Sequence, residues 1–132
     1  NAGQLGHPNE MVANAINYNN TICYISEPRL ITALNEPNLE IKSISCSDGC
    51  TIAYNQSHMF IFNDYKSKRI HYVKETASEF KKVKVLGGQL DYCANQNLKW
   101  IEDLNKKIMI VGLTVENLIF IWQENDPVWR NI

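Results

Sequence analysis

The sequence predicts an all-β protein whose short strands follow one another as antiparallel meanders, and three observations carry this prediction. Apolar and polar residues alternate over short stretches such as 41–45 and 80–85, which is the period of a half-buried strand. Brief polar turns separate the stretches, and Asp48-Gly49 is a dipeptide typical of tight hairpins. A strand–turn–strand unit also occurs twice, 59 positions apart.

The stretch 41–62 is the clearest part of this pattern. It predicts strands at 41–45, 50–54 and 59–62, joined by turns at 46–49 and 55–58. Strands this short, with such short connections, can pair only with their sequence neighbours, because a parallel pairing needs a crossover of a dozen or more residues. We therefore expect a meander here.

The remaining segments give weaker signals. Residues 11–18 have a weak helical spacing interrupted by asparagines, and 21–25 predict a strand. Residues 63–69 predict a polar loop before a strand at 70–73, and 75–79 predict another polar connection. Further strands are predicted at 80–85, 90–93, 98–101, 107–113 and 118–122. Asp126-Pro127 is expected to end the last hairpin, with residues 128–129 packing in the tail.

Length and charge limit the classes of function. The 132 residues suffice for one domain with one core. The 13 basic and 14 acidic residues are interspersed and give a net charge of −1, so no basic excess indicates a nucleic-acid partner. The sequence has no secretory signal and no apolar run long enough to span a membrane. We therefore expect an intracellular protein, cytoplasmic or nuclear, with no membrane span.

The cysteines indicate buried free thiols rather than chemistry. Cys23, Cys46, Cys50 and Cys93 lie in or beside predicted strands, where buried free cysteine is common. Cys46 and Cys50 have the spacing of half a metal site, but structural zinc takes four ligands and no matching pair is present in the sequence. His58 lies at a hairpin tip, where solvated turn residues are usual. We expect no catalytic residue, no metal and no cofactor.

Two predicted hairpins superpose at the 59-residue offset. Ile52 falls on Val111, Ala53 on Gly112, Tyr54 on Leu113, His58 on Asn117, Met59 on Leu118, Phe60 on Ile119 and Ile61 on Phe120. A fixed period of this length on strand–turn–strand units is typical of repeat architectures such as β-propellers. One small sheet cannot bury both of its faces alone, so neighbouring units stack and share a core.

Three separated motifs resemble the regulator-of-chromosome-condensation repeat family. They are Gly3-Gln4-Leu5-Gly6, Glu27-Pro28-Arg29-Leu30, and the run Ile44-Ser45-Cys46-Ser47-Asp48-Gly49-Cys50-Thr51-Ile52-Ala53. In the family these positions are a Gly-Gln-Leu-Gly turn, a Pro-Arg segment and a Cys-Gly-x-x-His-Thr-x-Ala hairpin, with Cys50 here in the histidine slot. The resemblance is closest over residues 3–62, and over 80–125 it is limited to the hairpin and Trp122.

The resemblance implies a seven-bladed propeller, of which this chain holds about two blades. Repeat-like units at 3–62 and 63–125 make residues 1–132 one partial propeller domain. A closed propeller needs roughly four to eight blades. The chain is therefore a piece of a larger propeller, is completed by another chain, or folds as a compact sandwich, and we favour the first.

The expected function is that of a non-catalytic protein–protein interaction module or scaffold, because propeller loops and edges hold binding residues on a rigid frame. Some members of the family are guanine-nucleotide exchange factors for small GTPases, so the resemblance allows this activity as an alternative. An unrelated small β-domain acting in assembly is a third hypothesis. The predicted binding residues are His7, Asn9, Glu10, Tyr65, Lys66, Lys68 and Arg69, the last four from a loop at 65–69.

Overall fold

The computed structural model describes residues 5–7, 16–18, 22–24, 28–63, 66–88 and 107–132. These residues form antiparallel β-structure with very little helix, so the all-β prediction is confirmed. The strands, in chain order, are β1 (Ile16–Tyr18), β2 (Ile22–Tyr24), β3 (Ser43–Cys46), β4 (Cys50–Tyr54), β5 (Met59–Asn63), β6 (Lys66–Ile70), β7 (Phe80–Leu86), β8 (Met109–Thr114), β9 (Ile119–Gln123) and β10 (Asp126–Asn131). A 3-10 helix covers Thr32–Leu34, and α1 covers Val73–Thr76.

Two four-stranded meanders make up most of the fold. The first sheet has the order β3-β4-β5-β6, and the second has the order β10-β9-β8-β7. Every neighbouring pair is antiparallel. The strands predicted at 50–54, 59–62 and 80–85 are therefore confirmed, and the meander of residues 41–62 is the first three strands of the first sheet.

Two strands, β6 and β10, differ from the prediction because pairing with a neighbouring strand determines their structure. Residues 66–70 form β6 instead of a loop, since their backbone pairs with β5 along its whole length. The strand predicted at 70–73 is wrong, because the chain turns after Ile70 into α1. Asp126-Pro127 begins β10 instead of ending the hairpin, and Pro127 is accommodated at an irregularity in this edge strand.

The main core lies between the two sheets. From the first sheet it contains Cys50, Ile52, Tyr54, Met59 and Ile61, and from the second Phe80, Val83, Val85, Ile110, Phe120, Trp122 and Trp129. Tyr72, between β6 and β7, is fully buried in this core and stacks on Phe80 with ring centroids 4.5 Å apart. We call the side of each sheet that faces the other its inner face, and the opposite side its outer face.

A second, smaller core covers the outer face of the first sheet. Ala53, Phe60 and Phe62 are buried there. The partly buried side chains that pack on them are Ile31, Ala33, Leu34, Leu39 and Ile41, all from residues 31–41, which we call the covering segment. Arg69 on β6 ties this segment down, because its guanidinium donates to both carboxylate oxygens of Glu36 at 3.0 and 2.9 Å.

The two sheets have matching pairing patterns. Ala53 pairs with Phe60 in the first sheet, and Gly112 pairs with Phe120 in the second. The first pair is on an outer face and the second on an inner face, so the sheets stack in the same orientation, front to back. The offset of 59 holds between β4 and β8 but becomes 60 between β5 and β9, because the second turn contains one residue more.

The remaining predictions have different outcomes. The strands predicted at 90–93 and 98–101 fall outside the described residues. Part of the weakly helical stretch 11–18 is strand β1, which pairs with β2.

The buried-thiol prediction is confirmed for Cys50 and wrong for Cys46, which ends an edge strand and is exposed. In the described part of the chain, no helix is long and apolar enough to cross a membrane.

Candidate protein-interaction surface

The two sheets differ in their outer faces. The covering segment packs on the outer face of the first sheet, whereas none of the described residues covers the outer face of the second sheet. We call it the open face. Its side chains come from alternate positions of the four strands: Lys82, Lys84, Leu86, Met109, Val111, Leu113, Ile119, Ile121, Gln123, Val128 and Arg130. Val111, Leu113 and Ile121 are only partly buried, and Ile119 is 43% exposed.

The centre of the open face is apolar and one side is cationic. Val111 and Leu113 on β8 lie beside Ile121 and Ile119 on β9. Lys84 and Lys82 pair with Val111 and Leu113 from the β7 side, so their stems extend the apolar centre and their ammonium groups border it. Among the described residues, neither lysine takes part in an ion pair.

The opposite side of the open face forms a shallow groove with a volume of about 220 Å³. It is lined by Ile121, Gln123, Asp126, Val128, Arg130 and Ile132. The Arg130 guanidinium donates to Asp126 Oδ2 from Nε at 3.0 Å and from Nη2 at 2.7 Å, which holds it at the groove. Val128 is 47% and Ile132 is 76% exposed, so apolar surface is available to a ligand here.

Because the two sheets have matching pairing patterns, the inner face of the first sheet, which is covered by the second sheet, can be compared with the open face position by position. One row of the first sheet's inner face is Ser45, Ile52, Ile61 and Lys68. The corresponding row of the open face is Lys84, Val111, Ile121 and Arg130. The first row is packed against the second sheet, where Lys68 Nζ lies 5.1 Å from the ring centroid of Trp122. Arg130 is thus the counterpart of a residue that already contacts a tryptophan.

None of the predicted binding residues that the structure describes is among the side chains of the open face. His7 is only 6% exposed, and its Nδ1 is buried with no hydrogen-bond partner among the described residues. Lys68 and Arg69 have exposed side chains, but each is engaged within the chain, Lys68 with Trp122 and Arg69 with Glu36. Lys66 lies in β6, and Asn9, Glu10 and Tyr65 are outside the described residues. A binding role for these residues stays a prediction.

Two histidines lie together at one end of the first sheet, His58 in the turn between β4 and β5 and His71 directly after β6. His58 and His71 have ring centroids 4.4 Å apart, and Ser57 Oγ lies 2.8 Å from His58 Nδ1. Burial lowers the pKa of His58, and the positive charge of Arg69 and the neighbouring His71 add to this. In the described part of the chain, no three His, Cys, Asp or Glu side chains come together as a metal site.

The buried thiol is poorly suited to nucleophilic chemistry. Burial, followed by the charges of Glu124 and Cys46, raises the pKa of Cys50 to about 12. The thiolate is the reactive form, so Cys50 is protonated and inert at neutral pH. Neither the histidine pair nor Cys50 therefore provides a catalytic arrangement.

Sequence reasoning missed the open face, although a signal for it was present. Residues 108–111 and 118–122 are continuously apolar instead of alternating. Such runs are typical of strands with both faces buried. In the structure Phe120 and Trp122 are buried, while Ile119 and Ile121, which alternate with them, are not fully covered, so the run corresponds to a strand with one buried face and one apolar, partly exposed face.

Comparison with known proteins gives a few distant relatives. No protein-family profile matches the chain, and no solved structure matches it significantly. The chain is 25% identical over 124 residues to "Inhibitor of Bruton tyrosine kinase" of Mus musculus, covering 93% of this chain and 8% of that protein. The protein of the same name from Homo sapiens is 26% identical over 101 residues, covering 75% and 7%. The Xenopus laevis protein is 26% identical over 125 residues, covering 93% and 8%. The chain therefore spans less than a tenth of the length of these relatives.

Proposed function

We propose that this chain is a non-catalytic protein-interaction module that forms part of a propeller-type stack of sheets, and that the open face is its contact surface. The observation that carries the proposal is the exposed apolar surface of that face, since Ile119 at its centre and Val128 in its groove are each more than two-fifths exposed. Exposed apolar patches rimmed by polar residues are characteristic of interaction sites.

The charge pattern favours a protein partner with acidic groups. Lys82 and Lys84 border the apolar centre without a carboxylate partner among the described residues. A carboxylate on the partner would pair with them and speed association, whereas a basic partner would be repelled. An acidic and apolar protein surface therefore fits this face best.

The curated relatives support a protein as the ligand. They are named as inhibitors of a tyrosine kinase, which is an action on another protein. A tyrosine kinase is accordingly the first class of partner to test for this chain.

The decisive experiment measures binding of the purified chain to a panel of tyrosine kinases by calorimetry, alongside the Ile119→Lys and Ile121→Lys variants. We expect binding that either substitution weakens at least tenfold, with Thr32→Ala in the covering segment as an unaffected control. Binding that persists unchanged in both lysine variants would place the contact elsewhere and refute the role of the open face. A parallel nucleotide-release assay on small GTPases tests the alternative exchange activity.

A further inference from the structure

The covered interface between the two sheets provides a template for what the open face binds. Lys68 projects from the edge strand β6 across the inner face and lies over Trp122 of the other sheet, 5.1 Å from the ring centroid. Trp122 is 3% exposed, so this cation–π contact is at the margin of a well-packed aromatic side chain. Ile61, beside Lys68 in the same row, belongs to the same core as Trp122.

Arg130 and Ile121 repeat this arrangement one sheet further along. Ile61 pairs with Lys68 in the first sheet, and Ile121 pairs with Arg130 in the second. Arg130 is exposed over 67% of its side chain and has no aromatic ring beneath it among the described contacts. If a further sheet packed on the open face as the second sheet packs on the first, its counterpart of Trp122 would lie at Arg130, next to the groove lined by Ile121, Gln123, Asp126, Val128, Arg130 and Ile132.

We infer that this groove is an aromatic subsite, which receives a tryptophan side chain presented by an antiparallel sheet of the protein partner. The inference rests on the proposed function, because the partner supplies the tryptophan. The indole face lies under the Arg130 guanidinium, which prefers tryptophan among aromatic rings. Ile121 and Val128 contact the rest of the ring, and Gln123 and Asp126 provide oxygen acceptors for the indole N–H.

The geometry explains why the groove is specific for an aromatic residue rather than for any apolar one. Asp126 holds the guanidinium at the groove by two hydrogen bonds, so the cation is in place before a ligand arrives. An aliphatic side chain would fill the groove without gaining the attraction between a cation and an aromatic face. Preorganisation of this kind reduces the entropy cost of binding.

The test uses N-acetyl-tryptophanamide as the probe and N-acetyl-leucinamide as its aliphatic control, each titrated into the isotopically labelled full chain. Methyl resonances of Ile121, Val128 and Ile132 are followed by NMR. We expect saturable shifts with the tryptophan probe in the millimolar range, and much smaller shifts with the leucine probe. Arg130→Gln should weaken the tryptophan probe about two- to fivefold, which is the size of an exposed cation–π contact.

Lys68→Gln is the matched control, because Lys68 holds the corresponding position but already lies over the chain's own Trp122. It should leave probe affinity unchanged. Equal responses to both probes, or an Arg130→Gln affinity equal to that of the wild type, would overturn the inference. A protein that binds the open face while the tryptophan probe does not would overturn the subsite and leave the proposed function standing. Probe binding without any protein ligand for the open face would support the subsite and count against the proposed function.

Discussion

At the scale of single residues, Gly112 shows how closely the core is packed. A Cβ atom at this position would lie 2.3 Å from Phe80 Cε1, so the Phe80 ring occupies the space that any larger residue would need. Phe80 is itself stacked on Tyr72, whose hydroxyl accepts the Phe80 backbone N–H at 3.2 Å and donates to the Asn55 carbonyl at 2.7 Å. The ring therefore has little freedom to move away.

Gly112→Ala should destabilise the protein by about 1–3 kcal/mol, which is typical of overpacking a well-ordered core. Urea unfolding monitored by tryptophan fluorescence measures the change. In a Phe80→Leu background the same substitution should cost clearly less, because the clashing ring is gone. An equal cost in the two backgrounds would show that the contact with Phe80 is not the reason for the glycine.

Cys50 makes stability depend on alkaline pH. Burial raises the pKa of its thiol from 9.0 to about 12. The folded state therefore binds the proton more tightly than the unfolded state does. The stabilisation from this neutral thiol is complete below about pH 9 and is lost as the pH rises towards about 12.

We expect the free energy of unfolding of Cys50→Ala to fall less steeply than that of the wild type between pH 9 and pH 12. Denaturant titrations at several pH values give both curves, and the difference in slope is the relevant quantity, since the substitution also changes packing. Cys46→Ala should change the slope much less, because this thiol is exposed and contributes less than burial to the raised pKa of Cys50. Parallel curves for wild type and Cys50→Ala would contradict the prediction.

At the scale of elements, the covering segment packs on the outer face of the first sheet. Its apolar side chains are only partly buried, and in its described ion pair the side chains of Arg69 and Glu36 are 43% and 47% exposed. Exposed ion pairs contribute at most about 1 kcal/mol. The segment is thus held mainly by Ile31, Leu34, Leu39 and their contacts with Phe60 and Phe62.

Leu34→Ala should loosen the covering segment without unfolding the sheet beneath it. Hydrogen exchange should become faster at amides of residues 31–41, while amides of β4 and β5 keep their protection, because those strands are central in their sheet. Thr32→Ala, at an exposed neighbouring position, should leave exchange unchanged. A uniform increase across segment and sheet would show that the two open together.

The elements that could be predicted are those whose own residues decide their structure. β7 alternates over residues 82–85, and β3, β4 and β5 are separated by turns with specific chemistry, so the local pattern was enough to predict them. β6 and β10 could not be predicted, because the pairing that creates them lies in a neighbouring strand. The open face could not be predicted for a related reason. The apolar run of β9 shows that both faces of this strand are apolar, but only the three-dimensional packing shows which face is covered.

At the scale of the whole molecule, Ile61 and Ile121 form a natural matched pair. They hold corresponding positions in the third strand of their sheets, but Ile61 is 4% exposed between the sheets and Ile121 lies on the open face. Placing a charge in the core leaves it unpaired and desolvated, whereas the same charge on the open face stays in water.

Ile61→Lys should prevent folding or lower the free energy of unfolding by more than about 4 kcal/mol, whereas Ile121→Lys should change it by less than about 1 kcal/mol. Circular dichroism and thermal melting separate these outcomes. A large loss of stability in Ile121→Lys would mean that the open face is already buried in solution, for example against a second molecule. Sedimentation at several concentrations would identify that association.

The covering segment and the open face make the two outer sides of the pair of sheets different. One end is closed by the chain's own residues 31–41, and the other end presents uncovered side chains. Among the described residues, it is therefore the outer face of the second sheet that leaves a set of apolar side chains uncovered. Two copies of this chain could pair through their open faces and form a closed dimer. Head-to-tail addition into a fibre would first require displacement of the covering segment of the receiving copy.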